Sequence, residues 1–83
     1  MITRNSSIEI EIKPIENRYG KFIDIKKEDE EYYNIYYNDN QKEEIKSTYI
    51  NENDKVSKIN IIINHQVTSF YGLFYECECI YQF

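Results

Sequence analysis

Ile59-Asn60-Ile61-Ile62-Ile63, leading into Gln66-Val67-Thr68-Ser69-Phe70-Tyr71-Gly72-Leu73-Phe74-Tyr75-Glu76-Cys77-Glu78-Cys79-Ile80, is the stretch that organises this chain. It holds the second of two glycines, the only leucine and both cysteines, and nothing else in the sequence is so densely apolar. Val56 to Asn64 reads as the strongest strand, apolar on both faces at Ile61-Ile62-Ile63, as a central strand covered on both sides would be. A tight polar turn follows. Phe70, Leu73 and Phe74 then stand at i, i+3 and i+4, which predicts a short helix with one apolar face pressed onto that strand. Cys77 follows as a small buried hydrophobe.

Working outward, the preceding segments read as strands and turns. Ser7 to Lys13 alternates Ile8, Ile10 and Ile12 against Glu9, Glu11 and Lys13, the period-2 pattern of a half-buried strand, which Pro14 ends or marks as an edge. Asn17 to Gly20 has turn chemistry, with Gly20 able to take a positive φ, so Phe22 to Lys26 is expected to return as a second strand in a hairpin with the first. Lys27 to Glu31 reads as a solvated charge run. Tyr33, Ile35 and Tyr37 alternate with Tyr32, Asn34 and Tyr36 in a third strand, whose tyrosines after an acidic run are also candidate phosphorylation sites. Gln41 to Tyr49 is ambiguous: Ile45 and Tyr49 have helical spacing, whereas Ser47 to Ile50 favours a strand, the reading taken here.

Val67-Thr68, Phe70, Gly72-Leu73-Phe74-Tyr75, Cys77 and Ile80 together resemble the repeat of the bacterial surface protein A-like (BspA-like) leucine-rich repeat family. That repeat runs roughly Val-Thr-x-Met-x-x-Met-Phe-x-x-Cys-x-x-Leu after a short strand, for which Ile59 to Ile63 would serve, and its period falls in the leucine-rich class of about 20 to 29 residues. Phe70 and Leu73 stand where methionines are usual, and Glu76 where glycine is common. A single unit is present, over about the last quarter of the chain. The resemblance implies a solenoid used for protein contacts, often in surface proteins, with Ile61, Ile63, Val67, Phe70, Leu73, Phe74, Cys77 and Ile80 as the core of the unit.

Composition bounds the rest. The 83 residues have room for one domain, and a chain of this size buries only about 60 to 65 per cent of its unfolded surface, which leaves little room for a deep catalytic cleft. Apolar residues make up 41% and aromatic ones 16%, enough for a core, and the dominance of isoleucine and tyrosine is a strand composition. A net charge of -5 with only two arginines argues against a nucleic-acid surface, which needs clustered cations. No apolar run approaches the roughly 18 residues of a membrane span, and the opening residues lack a signal-peptide core, so the chain as written is expected in the cytoplasm, with a surface location implied by the resemblance alone.

Chemistry-bearing residues are few. Cys77 and Cys79 form a Cys-x-Cys pair which, with His65, offers an incomplete zinc set that a carboxylate would have to complete. Cys-His catalysis would need an orienting third group, and the single histidine reads as a surface turn residue. Neither Asn38 to Glu44 nor Asn51 to Asp54 has the glycine and terminal glutamate of a calcium loop.

The expectation is therefore a mainly β, or α+β, single domain: about four or five antiparallel strands form a cap-like part over residues 1–54, and residues 55–83 form one leucine-rich-repeat-like strand-plus-helix unit. Its function is expected to be non-enzymatic, an interaction module with no cofactor, resembling the amino-terminal cap and first repeat of a BspA-like protein. The alternative is a small metal- or thiol-dependent protein using His65, Cys77 and Cys79. Because Cys79-Ile-Tyr-Gln-Phe83 is apolar and would begin a further strand, a protein partner or self-association through this carboxy-terminal edge is expected.

Overall fold

The computed structural model describes residues 7–65 and 70–81. Its fold is small and mainly β, with two antiparallel sheets and little helix. The larger sheet has the order β1-β5-β3, formed by β1 (Ile8–Ile12), β5 (Ile59–Ile63) and β3 (Tyr33–Tyr37). The smaller pairs β2 (Gly20–Lys21) with β4 (Tyr49–Ile50). A 3-10 helix, Lys27–Tyr32, precedes β3, and α1 is a single turn, Tyr71–Phe74.

The isoleucine-rich strand is central, its inward isoleucines flanked on both sides by apolar residues of β1 and β3. Its inward rungs are Ile8-Ile63-Tyr33, Ile10-Ile61-Ile35 and Ile12-Ile59-Tyr37. Ile59, Ile61 and Ile63 are wholly buried, and they meet Phe22, Ile23, Ile50, Phe74, Cys77, Cys79 and Ile80 in one core. The outward rungs are Glu9-Ile62-Asn34 and Glu11-Asn60-Tyr36. The strand is thus central but covered on one face, with Ile62 half-buried between polar neighbours.

The expected hairpin between Ser7–Lys13 and Phe22–Lys26 does not form. The turn is there, with Asn17 at φ 63° and Gly20 at φ 127°, yet β1 pairs with β5 instead. Phe22 and Ile23 are adjacent and both fully buried, so alternation fails where the strand would begin, although Asp24 and Lys26 farther on are exposed. Asp24 N-H donates to the α1 carbonyl of Leu73 at 2.7 Å. The acidic run forms the exposed 3-10 helix, whose first turn carries Glu28, Asp29 and Glu30, the end where carboxylates suit the helix dipole. In Gln41 to Tyr49 strand pairing appears only at Tyr49, and Ile45 N-H donates to Ile35 O at 2.8 Å on the outer edge of β3.

Of the carboxy-terminal stretch expected to offer an edge, 79–83, residues 82 and 83 lie outside the described residues. Pro14 and Ile80 form an antiparallel bridge flanked by Ile15 N-H to Cys79 O at 2.8 Å and Tyr81 N-H to Lys13 O at 3.1 Å. Proline lacks an N-H, and here the bonds fall on its neighbours, so the pairing loses nothing. Residues 79–81 fold back onto the continuation of β1 rather than presenting an open edge there.

Candidate interaction site

This return of the chain builds a groove. Ile15 and Arg18, just past β1, come to face the α1 region and residues 75–81 across a groove of about 890 Å³. Phe70, Phe74 and Ile80 supply apolar walls, while Tyr75 and Tyr81 stand at its mouth, 54% and 60% exposed. Arg18, Glu76 and Glu78 bring charge to its lining, and among the described residues none of the three has an ion pair.

Local backbone explains the shape. Phe70 O accepts from Leu73 and Phe74 N-H at 3.1 and 3.3 Å, and Phe74 O accepts from Cys77 N-H at 3.2 Å, so the chain coils tightly and then reverses. Glu76 makes the reversal at φ 59°, a left-handed conformation that costs a side-chain-bearing residue roughly 1 to 2 kcal/mol relative to the right-handed one. Arg18 and Glu78 had no sequence signal, because only the Pro14-Ile80 bridge brings their segments together.

The residues expected to form the core of a repeat-like unit are placed as follows. Ile61, Ile63, Phe74, Cys77 and Ile80 are buried, Phe70 and Leu73 are half-buried against the same cluster, and Val67 lies outside the described residues. Both thiols are free. Cys79 Sγ lies 3.1 Å from Lys21 O and Cys77 Sγ 3.8 Å from Leu73 O. Burial raises both thiol pKa values, helped at Cys77 by the negative charges that Cys79 and Asp24 can carry. These are environments of protonated thiols rather than of nucleophiles.

His65 is elsewhere. It is half-buried, stacked on Tyr32 at 4.9 Å between ring centres, edge-on to Tyr33, with Nε2 3.3 Å from the Tyr33 hydroxyl. It is an aromatic neighbour rather than a free turn residue, and its polar contact is unrelated to those of Cys77 and Cys79. Among the described residues no three of His, Cys, Asp and Glu converge as a metal set.

No family model, curated protein or solved structure matches the chain. The groove must be read on its own chemistry. No helix among the described residues is long and apolar enough to cross a membrane.

Proposed function

We propose that this protein is a non-enzymatic protein-interaction module whose groove takes a bulky apolar side chain of a partner, with a basic neighbour directed at Glu76 and Glu78. The observation that carries this reading is Glu76, a charge without an ion pair among the described residues, held in a left-handed conformation beside the exposed Tyr75 and Tyr81. Backbone strain at a residue that glycine could replace points to a role for the side chain. Tyrosines give large rigid contact area at low entropic cost, as interface centres use them. The reading keeps the expectation of a BspA-like cap and first repeat as its nearest functional parallel, and carries over from it only the use for protein contacts.

The test separates fold from binding. Peptides selected from a random phage-displayed library on the purified protein should carry an aromatic or large aliphatic residue next to Lys or Arg. Glu76→Gly should melt at the parent temperature or above while binding them more weakly, and Tyr75→Ser with Tyr81→Ser should abolish binding without unfolding the chain. Selected peptides indifferent to all three substitutions would refute the assignment.

A further inference from the structure

The larger sheet has two outer edges, on β3 and on β1. Asn64 N-H donates to Tyr32 O at 2.7 Å and Asn38 N-H to Lys58 O at 3.0 Å, and with the β3-β5 register this directs the backbone groups of the even-numbered residues of β5 toward β3. Those of Ile59, Ile61 and Ile63 therefore face β1, where they meet Ile8, Ile10 and Ile12. The N-H and C=O of Glu9 and Glu11 consequently point away from the sheet. Among the described residues no hydrogen bond is made to them, whereas β3 has Ile45 bonded on its outer edge. Farther along the same edge of β1, Lys13 O and Ile15 N-H already hold residues 79–81. This edge is competent to take an antiparallel strand.

We infer that the outer edge of β1 at Glu9 and Glu11 accepts an extended peptide segment by strand addition, the segment alternating apolar and cationic residues. The apolar set follows from Ile8 and Ile10, half-buried on the inward face, which leave room for inward side chains beside them. The cationic set follows from the outward face, where Glu9 has no ion pair among the described residues and Glu11 only a 3.7 Å contact with Lys58 Nζ, which lies at 2.6 Å from Asp39. A second copy of β1 fits poorly, because antiparallel pairing of the two would set glutamate against glutamate, and like charges directly opposite destabilise a ladder. Strand addition takes affinity from main-chain bonds and selectivity from alternate side chains. The inference concerns a different surface from the groove and stands whether or not the groove binds anything.

The probe is a synthetic peptide alternating Lys with Val and Ile, beside its Glu-for-Lys counterpart and a version N-methylated at alternate amides. With the Lys peptide, amide exchange at Glu9 and Glu11 should slow and the shift changes should centre on β1. The Glu peptide and the N-methylated peptide should do neither. Glu9→Lys should weaken the Lys peptide about two- to fivefold, and Glu9→Pro, which removes an N-H that the β1-β5 ladder does not use, should abolish binding. Should Glu9→Pro fail to fold, the N-methylated peptide still tests the main-chain requirement. Shift changes confined to Arg18, Tyr75 and Tyr81 would overturn the inference without touching the proposed function. So would Glu9 and Glu11 amides already protected in the free monomer, which means coverage by the chain itself, or protected only as protein concentration rises, which means a second copy.

Discussion

The two glycines provide a test in which one added methyl group has opposite effects. A Cβ built on either Gly20 or Gly72 meets nothing within 4 Å, so packing is silent at both and only the backbone decides. Gly72 lies within α1, where alanine gains roughly 0.5 to 1 kcal/mol over glycine by restricting the unfolded chain. Gly20 opens β2 at φ 127°, a region essentially reserved for glycine, and a side chain there costs on the order of 1 to 3 kcal/mol. The two variants should therefore differ by about 1.5 to 4 kcal/mol, against a total stability of about 4 to 12 kcal/mol for a domain of this size. Urea unfolding followed by tyrosine fluorescence would read this as midpoints moved in opposite directions at an unchanged slope. D-alanine at Gly20, introduced by chemical synthesis, favours positive φ and should restore the parent midpoint. If Gly20→Ala unfolds with the parent, the turn does not need the conformation described and the reasoning fails.

Two further predictions concern the core. Phe74 is 3% exposed in the layer over β5, so Phe74→Ala should cost about 3 to 5 kcal/mol and half-buried Leu73→Ala less, an ordering that thermal melts would check and that a reversed rank would contradict. Tyr37 is pushed up to about 12, first by burial and then by the charges of Asp54 and Cys79. Its folded form thus holds the proton more tightly than the unfolded one. The associated stability is complete below about pH 10 and declines toward pH 12, by at most about 2 to 3 kcal/mol. Tyr37→Phe should flatten that decline in denaturation midpoints measured against pH.

Where the sequence was legible, one physical signal dominated its segment. Ile8, Ile10 and Ile12, and Tyr33, Ile35 and Tyr37, each alternate cleanly, and both segments form strands of the larger sheet. Ile59 to Ile63 is central, as expected, but it buries one face rather than the two that its composition suggested, with Asn60 and Ile62 only half-buried. Pairing was not legible, because alternation identifies a strand without naming its neighbour: β1 passes over the nearby turn and finds a distant partner. Phe22 and Ile23 misled because both are buried by loop packing instead of strand alternation. The groove was invisible for the same reason as the β1-to-tail bridge, being assembled from segments far apart in the chain. At Glu76 a local rule is broken, and such breaks are where sequence-level reasoning is expected to fail at functional or strained sites.

The position of β5 between β1 and β3 also sets the order in which the molecule can assemble. In chain order β1 comes first, yet its ladder partner follows β2, β3 and β4. During synthesis the amino-terminal strand must wait, and closing so long a loop before any contact rewards it slows folding. The β3-β5 pair, nearer in sequence, can form earlier and offer a template onto which β1 docks late. Throughout that interval Ile8, Ile10 and Ile12 are an exposed β-forming run of the kind through which nascent chains aggregate. The intervening Glu9 and Glu11 break that run with charge at every second residue. The same carboxylates that mark the edge of the finished sheet thus guard the strand before it has a sheet to join.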